Sequence, residues 1–338
     1  MDREELLLRR LGGHHLLSPA RPLTVLQDLC GVQAQFLSHA LHGLGLRSGC
    51  TDTAGMVKSW TLRGTMHLFA EQDLPLFLHE GRTHHLRPVD TFLEDGTVSA
   101  DRKAYFAEVI LDAVACGTNR REDLKEVCLC RGMTGTETNL LFDPWGGIIR
   151  ALCEEGKLCH QVSEVKAYRL CPDFVPMAED AARLELARRY FTHYGPATVK
   201  DAAYFFGTTQ ATVRSWMKEL PLEESELAGK LFYYLDSGFS SGCAVPECLF
   251  LAGFDQFLLG YDKKDSLILA PENLRQIFTL AGIVRPAILL HGRIVGWWNL
   301  KNGKLTLVLF SHENKTQIRE AAARFWPNLR SIHIEVIS

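Results

Sequence analysis

Residues 183–235 constrain the fold of this chain more than any other stretch. Arg183 to Tyr194 carries apolar residues at helical spacing and is closed by Gly195-Pro196, a pair that cannot continue a helix. Thr198 is then an N-cap, with Asp201 in the first turn, for a short helix from Val199 to Phe205. Gly207 supplies a turn, and Thr208 or Thr209 opens a third helix through Gln210, Val213, Trp216, Met217 and Leu220. Helix, short helix, glycine turn and helix is a helix-turn-helix order. Leu231 to Leu235 follows as a strand, in the place of a wing.

The same order recurs upstream. Arg102 to Cys116, Arg121 to Cys130 and Asn139 to Glu155 read as helices, the last interrupted near Pro144 and Gly146-Gly147. A hairpin follows in Lys157 to Val162 and Lys166 to Leu170. The N-terminal segment fits a third time, with helices Glu4 to Leu11, Leu23 to Gly31 and Thr53 to Thr61, then strand-like Gly64 to Phe69. After Gly238 the pattern changes to strands: Leu249 to Leu259, Ala287 to Gly292, Arg293 to Leu300, Lys304 to Phe310 and Ser331 to Ile337. Asn302-Gly303 is a strong hairpin turn, and one helix, His312 to Phe325, breaks the series.

The expected fold is therefore α+β: three tandem winged-helix (helix-turn-helix) units followed by a small β-barrel-like C-terminal domain. The boundaries expected are 1–95, 96–175, 176–238 and 239–338. A chain of 338 residues exceeds what one core usually organises, which agrees with several domains.

Charge and cysteine usage narrow the class. A formal net charge of −3 supplies no electrostatic case for nucleic acid, although a basic groove fits on a neutral molecule. The segment Met1 to Arg10 has acids where a signal peptide needs a basic region, and no apolar run is long enough to span a membrane. A soluble, cytoplasmic monomer is the expectation. Ten cysteines fall at irregular spacing. The clusters Cys128-Leu129-Cys130 and Cys153, Cys159, His160 and Cys171 lack paired C-x-x-C spacing, so buried free thiols are expected, with no metal and no cofactor.

Two glutamines in an apolar stretch, Gln33 and Gln35 within Gly31-Val32-Gln33-Ala34-Gln35-Phe36, stand outside a burial argument. An amide donates and accepts at once, which suits it to hold a water or read a base edge. On a helix, residues two apart lie roughly 200° apart and share no face. In extended or loop backbone they point the same way. Gly31 is placed to end the preceding helix and free both amides for one pocket, whereas a helix continuous to Leu41 leaves only one of them facing it. Some 25 residues later comes Trp60-Thr61-Leu62-Arg63-Gly64-Thr65-Met66-His67.

With these residues in hand, the chain resembles the AlkZ-like family of winged-helix DNA glycosylases, which includes the YcaQ proteins. The resemblance rests on four motifs in order: Gln33-Ala34-Gln35, Leu62 to Leu68, Gly253-Phe254-Asp255-Gln256-Phe257 through Tyr261, and Gly292 to Trp298. It implies three tandem winged-helix units and a β-domain around a concave DNA-binding surface. It implies hydrolysis of the N-glycosidic bond of alkylated purines, mainly N7-substituted guanine, in double-stranded DNA, and in some members unhooking of interstrand crosslinks. Both polar residues of the first motif are implicated in catalysis, which assigns that role to Gln33 and Gln35. The YcaQ branch has aspartate at the second position, so Gln35 resembles the AlkZ-type branch.

Beyond the glutamines, Arg63, Thr65, His67, Trp60 and His39 are the candidate DNA-contacting residues, Arg63 for a phosphate and His67 for a phosphate or an exposed nucleotide. Each also has an ordinary reading: a surface ion pair for Arg63, a satisfied structural histidine for His67, core packing for Trp60. His39 and His42 share a helical face and bind a metal only with further ligands. Trp297-Trp298 reads as core packing or as a hairpin tip against the duplex. Two competing functions remain open at this level, a non-catalytic winged-helix DNA-binding protein or regulator and a protein-interaction scaffold.

Overall fold

The structure is a computed structural model describing residues 1–81, 98–144, 146–236 and 243–337. The domain boundaries expected at 95/96 and 238/239 lie outside the described residues. The chain forms two compact units, Met1–Asp52 with Ala187–Ser338, and Thr53–Leu186. The first is discontinuous in sequence. Among the described residues no helix is long and apolar enough to cross a membrane.

The first unit opens with α1 (Arg3–Gly13), whose N-cap Asp2 accepts from the Glu5 amide. Next come α2 (Pro22–Asp28), with proline in its first turn, and a two-residue strand β1 (Val32–Gln33). A third helix, α3 (Leu37–Ser48), buries Leu37, Ala40 and Leu44 at helical spacing. The helix expected at Thr53 to Thr61 is not formed.

That segment belongs to the second unit and is strand β2 (Met56–Trp60), antiparallel to β3 (Met66–Ala70) with Trp60 opposite Met66. Val57 and Trp60 favour a strand, and the apolar partner Leu68-Phe69 lies within hairpin reach, so pairing overrides the helical reading. The sheet continues through β4 (Leu158–His160) and β5 (Tyr168–Leu170), both antiparallel to their neighbours. The expected hairpin is therefore present. Helices Ala100–Ala115, Arg121–Cys130, Gly135–Leu141 and Gly147–Glu154 cover its core, where Phe106, Ile110, Leu124, Ile149 and Leu158 are buried. The break between the last two helices falls at the anticipated prolyl–glycyl stretch, and Gly147 (φ 53) leaves no room for a Cβ against the Leu141 carbonyl.

The chain re-enters the first unit along the helix Glu179–His193. Val199–Phe206 and Gln210–Met217 follow, capped by Thr198 and Thr209 and separated by left-handed Gly207. A hairpin, β6 (Glu223–Leu227) and β7 (Lys230–Tyr234), completes this stretch. The element order expected for 183–235 is observed, with β6 as an added strand.

The C-terminal strands form an open sheet. Its order is β12-β11-β10-β9-β8, built from β8 (Cys248–Phe250), β9 (Ala287–Leu290), β10 (Arg293–Lys301), β11 (Lys304–Leu309) and β12 (Ser331–Val336). The expected barrel is not closed. β12 returns parallel to β11 by way of the helix Lys315–Phe325, whose Ile318, Ala321 and Ala322 pack with Trp298, Leu305 and Leu307. A helix seals that face, so the two edges have no need to meet. The long strand expected from Leu249 to Leu259 is also corrected. β8 stops at Phe250, and Asp255 caps a single helical turn, Gln256–Leu259, by accepting from the Phe257 amide. Trp298 is core, its Nε1 donating to the Leu251 carbonyl at 2.9 Å, while Asn302-Gly303 forms the hairpin tip.

Candidate active site

The glutamine segment owes its shape to an abrupt end of α2. Cys30 (φ 52) and Gly31 (φ 77) are successive left-handed residues, and the Gly31 amide donates back to the Leu26 carbonyl at 2.7 Å. Two such residues terminate the helix and send the chain out in extended form. The continuous helix that would have separated the two amides is absent. Gln33 lies in β1, Phe36 is still extended (φ −117, ψ 110), and α3 begins only at Leu37.

The two side chains consequently share a side. Gln33 Nε2 donates to Gln35 Oε1 at 2.9 Å. Gln33 is buried, with 7% of its surface exposed, whereas Gln35 is exposed. The bond uses one donor of Gln33 and one lone pair of Gln35. Two N–H donors and a second lone pair remain on the exposed amide of Gln35.

Elements far away in sequence hold this segment. The Tyr194 hydroxyl donates to the Leu29 carbonyl at 2.8 Å and lies 3.3 Å from Gln256 Oε1. Arg189 donates to the Gln27 carbonyl at 3.0 Å. Both grips fall on the last turn of α2, where carbonyls have no intrahelical partner. Downstream, Phe36 stacks on Phe254 (5.8 Å, 27°) and meets His39 edge-on. His39 lies against Gly253, where a Cβ would stand 3.0 Å from its ring. His42 Nε2 lies 2.7 Å from the Phe250 carbonyl, and burial lowers its pKa.

The Gly253 to Tyr261 motif is thus the support of the glutamine motif. Its Asp255 is fully buried and binds Arg47 of α3 through both oxygens, at 2.6 and 3.0 Å. Tyr194, Gln256, Asp255 and Arg47 were absent from the candidate residues. The only sequence signal for them was the presence of Asp255 and Gln256 within a shared motif.

In the second unit, Thr61 to Thr65 is the loop joining β2 to β3. Arg63 (φ 57) and Gly64 (φ 64) turn it, and Thr61 and Thr65 close it through their backbone at 3.1 Å. His67 is 1% exposed, with Nδ1 2.9 Å from Thr61 Oγ1 and 3.1 Å from the Thr65 carbonyl. Burial above all, and then the charge of Arg63, push its pKa down to about 3, so the ring is neutral. Arg150 reaches the Gly64 carbonyl at 3.3 Å and lies over the Trp60 ring at 5.4 Å. Trp60 packs edge-on against His160 and joins this unit's core. Arg63 and Thr65 are partly exposed at the loop tip.

No disulfide forms among the described cysteines; Cys128, Cys153 and Cys159 are buried as expected, whereas Cys130 is exposed and Cys171 half-buried.

Comparison with known proteins agrees with this architecture. A family model described as "DNA glycosylase AlkZ-like" matches residues 26–326. An interstrand DNA cross-link repair glycosylase of Streptomyces sahachiroi is 27% identical over 323 residues, covering 87% of this chain and 86% of that protein. The solved structure of the Streptomyces sahachiroi DNA glycosylase AlkZ superposes with a TM-score of 0.78 at 22% identity, covering all of both chains. At that identity the superposition speaks for the fold, a mixed α+β arrangement.

Proposed function

The chain belongs to the AlkZ-like DNA glycosylase family, and from that premise we propose that it hydrolyses the N-glycosidic bond of N7-alkylated guanine in double-stranded DNA. Gln33 and Gln35 position the attacking water. The observation that carries this reading is the 2.9 Å bond between the two amides, which fixes a neutral polar pair beside an exposed donor–acceptor group.

The chemistry asks little more. Alkylation at N7 makes guanine cationic, so the base departs neutral and needs no general acid. The remaining barrier is met by placing a water near C1′ and favouring the oxocarbenium-like transition state with fixed dipoles. A water donating to the free lone pair of Gln35 Oε1 keeps an oxygen lone pair for C1′. An amide does not take the proton as a strong base would; attack on so electrophilic a carbon does not require one, and the proton passes to bulk water once the C1′–O bond has formed. The hydrogen bond from Gln33 prevents Gln35 from rotating away. No lysine nucleophile is involved, so the enzyme is monofunctional.

Arg63 and Thr65, at a loop tip, are assigned contacts with the DNA backbone. His67 and Trp60 keep that loop in shape from beneath, and His39 braces Phe36. The relative from Streptomyces is named for interstrand cross-link repair, and we extend that substrate class to this chain on its overall similarity. The helix-helix-hairpin arrangement at 179–234 is read as a winged-helix clamp on the duplex. The protein works as a cytoplasmic monomer and needs no cofactor for the glycosylase step.

Incubation with a duplex carrying a single N7-methylguanine tests the proposal. Release of free base and an abasic product, lost in Gln35→Ala, is expected. DNA binding without base release, or sequence-specific binding indifferent to Gln35→Ala, would overturn it in favour of a regulator.

A further inference from the structure

We propose that His15, Asp28 and His193 form a binding site for one divalent transition-metal ion of the zinc class. Three helices end at this point. His15 stands two residues beyond α1, Asp28 is the last residue of α2, and His193 is the last residue of the helix Glu179–His193. Their ligand atoms lie within 4.8 Å of one another, and among the described residues no other histidine, cysteine or acid cluster does this. His15 Nε2 is 2.7 Å from Asp28 Oδ2, and His193 Nε2 is 3.3 Å from Asp28 Oδ1. The two imidazoles face each other at 6.0 Å with 30° between their planes.

The donor set fits the metal class. Two imidazole nitrogens and a carboxylate oxygen are ligands that zinc and its neighbours accept, with the fourth position left to water. The three side chains keep 17%, 23% and 17% of their surface exposed, which admits that water and gives the ion a route in. The carboxylate lies between the two rings and offers one oxygen to each, Oδ2 toward His15 and Oδ1 toward His193.

The site would fasten the last residue of α2 to two other helix ends, immediately before Leu29-Cys30-Gly31-Val32-Gln33. Metal binding stands independently of the glycosylase reading, and only its influence on the glutamines rests on it.

The test uses the full-length protein stripped with a chelator and reloaded with Zn2+ or Co2+. One equivalent of Zn2+ retained after dialysis, with a rise in Tm, is expected. Co2+ should give the visible bands of a four- or five-coordinate nitrogen–oxygen site without thiolate charge transfer. Asp28→Asn and His193→Gln should each weaken uptake by more than about 100-fold. Substoichiometric binding, a thiolate band, or variants that bind like wild type would overturn the proposal and leave a carboxylate bridging two histidines. If Asp28→Asn does not fold, His15→Gln at the partly exposed corner serves instead, and the wild-type Co2+ spectrum decides without any variant.

Discussion

The hydroxyl of Tyr194 donates to the carbonyl of Leu29 across 165 residues of sequence, at 2.8 Å and with both residues fully buried. Leu29 is the residue at which α2 gives way to two left-handed residues and then to Gln33. Tyr194→Phe keeps the ring packed on Tyr190 and Phe205 but leaves that carbonyl without its donor. A loss of about 1–2 kcal/mol in urea unfolding is expected. Base release should fall by a larger factor than the loss of folded protein explains.

Gln33 and Gln35 should separate stability from activity. Gln35→Ala removes an exposed side chain and should leave stability within about 0.5 kcal/mol of wild type. Gln33→Ala removes a buried one and should cost about 1 kcal/mol. Single-turnover base release should drop about 100-fold or more in each, the range typical of lost positioning groups in catalysis. Thermal melts beside the kinetics distinguish the two contributions.

Arg47 and Asp255 form a pair with 1% and no side-chain exposure. Asp255→Ala strands a buried guanidinium and removes the cap of Gln256–Leu259, so a loss of about 3–5 kcal/mol is expected. Chemical denaturation monitored by circular dichroism provides the check. A variant as stable as wild type would mean that the pair is not buried in solution.

Stability should decline on mild acidification because histidines are buried in neutral form, His67 and His160 among them. Burial, the first cause for both, holds His67 and His160 at about 3, below the ordinary 6.5. Between those values the unfolded chain binds protons that the folded chain refuses. Each histidine therefore costs about 1.4 kcal/mol per pH unit as pH falls from 6.5 toward 3, and nothing above 7. Urea midpoints from pH 7.5 to 5 should fall, and the slope should flatten in His160→Phe.

Gly31 sits at φ 77, a region costly for a β-branched residue. Gly31→Val should destabilise by about 1–3 kcal/mol. It should also abolish base release in the fraction that still folds, because the turn directs Gln33. The readouts are Tm and single-turnover rate.

Local features of the fold were legible in the sequence. Thr198 and Thr209 cap the helices assigned to them, Arg121 to Cys130 matches its helix, and Asn302-Gly303 turns the hairpin between β10 and β11. Each is decided by groups within four residues of one another. Gly31 belongs with them, since a left-handed glycine ends a helix wherever it packs. The extended backbone that Gln33 and Gln35 need follows from that local preference.

What depended on partners distant in sequence was not legible. Met56 to Trp60 became a strand because Met66 to Ala70 pairs with it, and the C-terminal sheet stayed open because a helix covers its face. The brace at Leu29 and the meeting of His15, Asp28 and His193 join the N-terminal helices to the end of the helix Glu179–His193, far away in sequence. The sequence by itself determined where helices start and stop, through capping and backbone preference acting over a few residues. Only the tertiary structure decided which of those ends meet, because burial and hydrogen-bond satisfaction are settled by the whole folded chain.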